Sequence, residues 1–282
     1  MKNLKKVLVV LVLAIMLVSV CACSYVPSNR FMSRSQVNSL VKQYDNPQAE
    51  LILNYTLTSN GVSTNYEVVI TYDLLLSQAP LAVIRFIQLA NEGSYNNSVI
   101  DKYNSSLNYM ILGRYCYKDS IREDGKKNWF VNNALDTTFK GEFKSNKYSQ
   151  PKDGYAEFNI FSLAMYHEEY TPDNANFDTA NGALILATDK NTLSSNNYAV
   201  FAHMVSMSYK VGDNDPVENT KVNSNVLANL KGFTSTTSTR KVYTDETEES
   251  TVPSFSMMNQ IVTIKVNILG DYDWSKLPQI GR

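Results

Sequence analysis

The chain opens with a nearly unbroken apolar run, Val7 to Val20, behind Lys2, Lys5 and Lys6 and ahead of Cys21-Ala22-Cys23-Ser24. Residues 24–48 are polar and weakly periodic, and they read as a tether with one helical turn near Val37–Val41. From Glu50 the pattern changes. AELILNYTL and NYEVVITYDLL predict two β-strands, and Ser59-Asn60-Gly61 supplies the turn residues between them. Their alternation is imperfect, as expected where both strand faces are covered. Gln78-Ala79-Pro80 then opens a helix, because a proline at the first helical position lacks only an N–H that would have had no partner. Val83, Ile84, Ile87 and Ala90 recur at spacings of three and four, and Gly93 stands at the stop position. Arg85, Gln88, Asn91 and Glu92 fall on the other side, which predicts one stripe packed on a sheet and one wet face.

Downstream, NYMILGRYCY, FSLAM, GALILAT, YAVFAHMVSM and NQIVTIKVNIL read as strands between loops rich in Asn, Ser, Asp and Gly. A second short helix is expected over Val226–Leu230, with Ser224 or Asn225 as cap and Gly232 as stop. Residues 234–251 carry almost no apolar content and read as an exposed excursion. Many short strands with one or two helices predict an all-β, mainly antiparallel barrel or sandwich.

Composition narrows the function classes. The 282 residues are 44% hydrophobic and 19% charged, an ordinary globular balance that excludes collagen-like, coiled-coil and wholly disordered chains. Lys plus Arg (26) nearly cancels Asp plus Glu (27), so no global charge argues for nucleic acid. Two histidines and three cysteines are too few for a dedicated zinc site or a disulfide framework, so neither metal nor cofactor is expected.

The N-terminus is different. A basic start, an apolar run too short to span a bilayer and small residues at its end describe a secretory signal. It resembles a bacterial lipoprotein signal, in which a cysteine after a small residue is lipidated. Cys23 follows Ala22 whereas Cys21 follows Val20, so Cys23 is the expected lipidation site, anchoring the chain to a lipid bilayer on the extracytoplasmic face. Removing residues 1–22 takes three lysines and no acid and leaves a net charge of −4, which gives no electrostatic attraction to anionic lipid. Cys116, the remaining cysteine, reads as a buried small apolar residue rather than a nucleophile.

Six strings, in order, carry a resemblance: APLAVIRFIQLANEGSYNNSVI (79–100), TTFKGEFKSN (137–146), FSLAM (161–165), TANGALILATD (179–189), YAVFAHMVSM (198–207) and QIVTIKVNI (260–268). Residues 50–270 resemble a cyclophilin-type peptidyl-prolyl isomerase domain. The resemblance implies a closed eight-stranded β-barrel capped by two helices, with inserted loops. The corresponding division is a signal peptide (1–22), a tether (23–48), the domain (49–270, with insertions near 115–135 and 209–255) and a C-terminal tail (271–282).

The resemblance also implies site residues. Lys102 stands where the family carries its essential arginine, with Asp101 at the preceding histidine; lysine is a donor, but a flexible point charge rather than a planar fork. Tyr109, Met110 and Leu112 take the positions of an apolar pocket and a glutamine. Ala164 matches the small residue against which substrate backbone lies. Ala183 and Ile185 replace a second amide and an aromatic pocket floor, Leu193 matches a loop pocket residue, and Tyr198 replaces a histidine. The expected site is therefore apolar with little polar machinery. The implied function is a membrane-anchored prolyl isomerase, probing proline-containing segments or unfolded secreted proteins and acting as a monomer; the alternative is a related binding lipoprotein without turnover.

Other residues read more plainly. His203 is expected on the barrel exterior, and His167 with Glu168 and Glu169 lacks a convincing third metal ligand. The acidic cluster Asp245–Glu249 reads as a solvated loop. Tyr103, Tyr115, Tyr117, Tyr166 and Tyr170 read as packing on the barrel exterior, or as an aromatic rim able to recognise peptide.

Overall fold

The computed structural model describes residues 25–27, 29–118, 128–148, 154–167, 177–190, 193–219, 221–233, 235–237, 242–243, 249–250, 256–258 and 261–280. The apolar N-terminal run, Cys21, Cys23, Glu168, Glu169, Tyr170 and residues 244–248 lie outside these.

The N-terminal half forms β1 (Tyr25–Val26), α1 (Arg34–Gln43), β2 (Gln48–Ser59), β3 (Val62–Leu74), α2 (Pro80–Asn91), β4 (Ser98–Asn104), β5 (Tyr109–Lys118) and β6 (Asn128–Val131). Then come β7 (Leu163–Met165), β8 (Leu184–Ala187), β9 (Val200–Val211), β10 (Val217–Asn219) and α3 (Ser224–Gly232). Short strands β11 (Ser235–Thr237), β12 (Val242–Tyr243), β13 (Glu249–Ser250) and β14 (Ser256–Met258) precede β15 (Val262–Leu269) and β16 (Gln279–Ile280).

The hairpin predicted from Ser59-Asn60-Gly61 is present. Asn60 (φ 50°) and Gly61 (φ 78°) both adopt the left-handed region, which a tight turn matched to strand twist requires. β2 and β3 pair antiparallel along their whole length, from Gln48↔Asp73 to Ser59↔Val62. Eight strands close into a ring in the order β5–β4–β15–β2–β3–β9–β7–β8, and β8 returns to β5 through Tyr109↔Ala187 to Leu112↔Leu184. The barrel is antiparallel throughout. Its interior follows the two-residue period of a pleated strand: Ala49, Leu51, Leu53 and Tyr55 from β2 meet Val68, Ile70, Tyr72 and Leu74 from β3 and Val262, Ile264 and Val266 from β15.

α2 runs where the apolar spacing placed it, but its second face is not wet. Gln88 is buried and donates from Nε2 to the Pro278 carbonyl at 2.9 Å, and Arg85 donates from Nη2 to the Ala134 carbonyl at 3.0 Å. Chain from the far C-terminus and from residues 133–135 covers the side that local spacing left to solvent. α3 spans the second expected helix, with Asn223 as its cap, accepting from the N–H groups of Asn225 and Val226.

The stretch read as a tether is corrected from Tyr25 onward. β1 pairs parallel with β16, and a third helix, α1, starts at a reciprocal cap in which Ser33 and Gln36 each bond the other's backbone N–H. Val37 and Leu40 bury one stripe. Tyr44 packs between Tyr272 and Trp274, stacked on the latter at 5.2 Å, and Leu277 and Ile280 are buried, so residues 271–280 are not a loose tail. The stretch 209–255 read as one insertion includes the end of β9, the β10 hairpin and α3, whose Val226 and Leu230 join the core. Cys116, expected to be buried, is half-buried on β5.

One buried carboxyl holds the start of α2. Ala79, preceding that helix, has no side-chain oxygen to cap it, and Glu142 from the KGEF string fills the role: its Oε2 accepts from the Ala82 N–H at 3.1 Å. Glu142 is 2% exposed, and burial pushes its carboxyl up to about 8 in spite of bonds from the Leu81 and Ala82 N–H groups. A carboxyl raised in the folded state above its ordinary 4.5 favours folding most at low pH, and that contribution fades as pH rises through about 8. Urea denaturation across pH 5–9 should therefore show stability falling toward the alkaline end. Glu142→Gln, which cannot ionise, should flatten that slope; an unchanged slope would remove Glu142 as its source.

Candidate peptide site on the barrel exterior

Register places one row of side chains across five neighbouring strands. Lys102 on β4 lies opposite Ile111 on β5, Ile111 opposite Ile185 on β8, Ile185 opposite Ala164 on β7, and Ala164 opposite Val200 on β9. A second row joins Asn104, Tyr109 and Ala187. Tyr109, Ile111, Ala164, Ile185, Ala187 and Val200 form a hydrophobic cluster separate from the barrel interior, with Leu193 and Tyr198 packed against it. This is the barrel's outer face, and it is almost wholly aliphatic.

The structure thus brings together Lys102, Tyr109, Ala164, Ile185, Leu193 and Tyr198. It does not bring Met110, Leu112 and Ala183 to the same face. Those three belong to the interior cluster with Leu184, Leu186, Leu163 and Met165. The reason is the strand period: once Tyr109 and Ile111 face outward, Met110 and Leu112 must face inward. Ile111 therefore occupies the outward position beside Lys102 for which Leu112 was expected.

Irregularities in β4 and β5 set that phase. The pairing shifts between Ser98 and Ile100 and again between Ile100 and Lys102. Gly113 (φ 97°) turns the chain at the first shift, and a Cβ there would meet Leu135 Cδ1 at 2.9 Å. Asn132 fastens the turn, donating from Nδ2 to the carbonyls of Gly113 (2.9 Å) and Ser94 (2.8 Å).

Around this turn lies an ion pair that sequence reasoning did not single out. Arg114 donates from Nε to Asp101 Oδ2 at 2.7 Å and pairs with the same oxygen through Nη2. Its guanidinium lies 5.4 Å from the ring centre of Tyr166, which packs against the outer cluster, and 5.8 Å from that of Tyr115. Asp101 is fully buried, and burial pushes its carboxyl up to about 6, against the attraction of Arg114. Its Oδ1 has no hydrogen-bond partner. Asp101 is thus committed to Arg114, while the neighbouring Lys102 is directed to the outer row by the same bulge.

Tyr198, Leu193 and His167 form the rim. His167 is buried, stacks on Tyr198 at 4.4 Å and on Phe143 at 5.4 Å, and places Nε2 at 2.7 Å from the Asn197 carbonyl. It works as a spacer holding the 193–199 loop. Among the described residues no group of three or more His, Cys, Asp or Glu side chains could hold a metal ion. His203, half-buried on β9, donates from Nε2 to the Glu157 carbonyl at 2.9 Å.

Phe158 is the residue that sequence reasoning missed altogether. It comes from the irregular segment before β7, is 4% exposed and packs into the outer cluster, with its ring edge-on to Tyr198 at 6.4 Å. No periodicity marks it, so only its isolated aromatic character in GYAEFNI hinted at a role.

Comparison with solved structures finds the Cryptosporidium parvum cyclophilin-type peptidyl-prolyl cis-trans isomerase at 14% identity and a TM-score of 0.43, covering 80% of this chain and 99% of that one. The Mimivirus cyclophilin matches at 11% identity and a TM-score of 0.40, covering 81% and 92%. No curated protein matches the sequence. A family model described as cyclophilin-type peptidyl-prolyl cis-trans isomerase/CLD matches residues 61–229, more than half of the chain. This chain, with its ring of eight strands, belongs to the cyclophilin-type peptidyl-prolyl cis-trans isomerase family.

Proposed function

We propose that the protein is a lipid-anchored, extracytoplasmic peptidyl-prolyl isomerase of low activity that assists folding of secreted chains by acting on their X-Pro bonds, with Lys102 as its donor. The supporting observation is the outer row itself: among Lys102, Ile111, Ile185, Ala164 and Val200, one side chain alone carries a hydrogen-bond donor. Rotation about a peptide bond costs ~18–20 kcal/mol because the nitrogen lone pair is delocalised. A donor aimed at the prolyl nitrogen localises that pair and weakens the double-bond character, while an apolar surface takes the proline ring. No nucleophile is needed.

Activity is low in this reading because a single flexible ammonium stands where planar, preorganised donors would do better. Removing one preorganised donor costs about 2.7–4 kcal/mol of transition-state stabilisation. Ile111 offers substrate backbone no hydrogen bond. That same observation favours a second reading, in which the face holds extended proline-containing segments without turnover.

The anchor rests on Lys2, Lys5 and Lys6, the apolar run that follows and the Ala22-Cys23 pair. Lipid attached there holds the domain at the bilayer, provided the cysteine carries more than one chain, since a single acyl chain binds only marginally.

Two measurements test these statements. Exchange NMR of several X-Pro peptides with residues 24–282 should show a modest acceleration, at least roughly tenfold weaker in Lys102→Ala and stronger in Lys102→Arg, whose fork is better organised. An unchanged rate in Lys102→Ala would remove it from the mechanism, and peptide binding without acceleration would establish the second reading. In fractionated cells, Cys23→Ala should move the protein out of the membrane while Cys21→Ala leaves it there; the reverse pattern would reassign the anchor.

A further inference from the structure

We propose that residues 154–161 form an internal plug of the peptide site, with Phe158 occupying the apolar surface that a substrate's proline ring would otherwise take. This rests on the reading of the outer barrel face as the peptide site.

The outer cluster is unusual for a barrel exterior. Ala164, Ala187, Ile185, Ile111 and Val200 would present a continuous aliphatic patch to water, and such a patch marks a binding surface when it is bare. Here it is not bare. Phe158 and Ala156 lie on it, leaving Ala164, Ile185 and Ala187 with no exposure. An aromatic ring on a small-residue floor is the kind of filling that a prolyl ring would provide.

The covering segment is lightly fastened. Among the described residues its only backbone–backbone hydrogen bond before Phe161 is the Asn159 carbonyl accepting from the Ser162 N–H at 2.9 Å. Side chains supply the rest: Ser162 Oγ accepts from the Asn159 N–H at 2.8 Å, His203 donates to the Glu157 carbonyl, and Tyr155 donates to the Tyr148 carbonyl at 2.7 Å. Its cohesion therefore comes chiefly from Phe158.

Both ends carry unusual backbone. Gly154 has φ 87°, and Phe161, fully buried, has φ 64°, a region that bulky residues rarely enter. Phe161 is held there by its N–H donating to the Ala187 carbonyl at 2.8 Å, directly beneath the covered face. The strained Phe161 turn and the permissive Gly154 bound the segment that would lift. Substrate must displace Phe158 before it binds, so the plug lowers apparent affinity by the fraction of time it is open.

The test compares wild type, Phe158→Leu and Phe158→Ala, each labelled on Ile and Ala methyl groups, titrated with an Ala-Pro-containing tetrapeptide and probed with a soluble paramagnetic agent. Relaxation by the agent at Ile111, Ile185 and Ala164 should rise from wild type to Leu to Ala. Peptide binding should tighten in the same order, by at least roughly tenfold in Phe158→Ala if the site is open a tenth of the time or less in wild type. Phe158→Leu keeps most of the buried volume and preserves the test if the alanine variant does not fold. Methyl groups that become accessible with no gain in peptide affinity would overturn the plug, as would wild type binding at these methyl groups as tightly as the variants. Tighter binding in the variants without acceleration of X-Pro exchange would support the plug while refuting the isomerase reading, so the two fail separately.

Discussion

Closure of the ring through β5 is the constraint from which the remaining structure follows. β5 pairs with β4 on one side and with β8 on the other, and together these pairings turn an open sheet into a barrel with no free edge there. Once the ring is closed, each strand residue has only an inside and an outside. Met110, Leu112, Leu184 and Leu186 are drawn inward, and Tyr109, Ile111, Ile185 and Ala187 are left outward on the neighbouring rows. The outward set is nearly as apolar as the inward set, so the barrel needs a second covering on this side. The 154–161 segment and the Tyr198 loop provide it.

Two buried carboxyls mark where regular pairing is interrupted. Glu142 reaches the unpaired N–H groups at the start of α2, and Asp101 holds Arg114 at the double bulge of β4 and β5. Each takes a site where backbone geometry leaves a donor or a cation to be satisfied, and each is lifted above its ordinary range by the loss of water. Breaking such a pair from one side leaves an uncompensated buried charge, which costs far more than the intact pair contributes.

Much of the architecture was readable along the chain because it is local. The β2–β3 hairpin follows from Asn60-Gly61, α2 from Pro80 and its apolar spacing, and the remaining barrel strands from short apolar runs. What could not be read depends on partners far away. Ser33 and Gln36 carry a helix-start signature, yet α1 holds its place because Tyr44 packs on Tyr272 and Trp274, more than 200 positions later. Gln88 looks like a solvent residue until Pro278 covers it. Within the site, Lys102, Tyr109, Ala164 and Ile185 were found through the order of family-like strings. Met110 and Leu112 were assigned to the wrong face because two register shifts between Ser98 and Lys102 decide the phase, and no local pattern records them. Phe158 lies in an irregular segment, where periodicity has nothing to report.

The parallel pairing of β1 with β16 also bears on scale. An extended tether of residues 24–48 would reach roughly 85 Å, whereas the fold begins at Tyr25, two residues beyond Cys23, a span of ~7 Å. If Cys23 is the anchored residue, the barrel cannot sweep a hemisphere above the bilayer. It rides against the headgroups with its rotation restrained, and chains reach the Lys102 face only when they emerge close to the membrane plane.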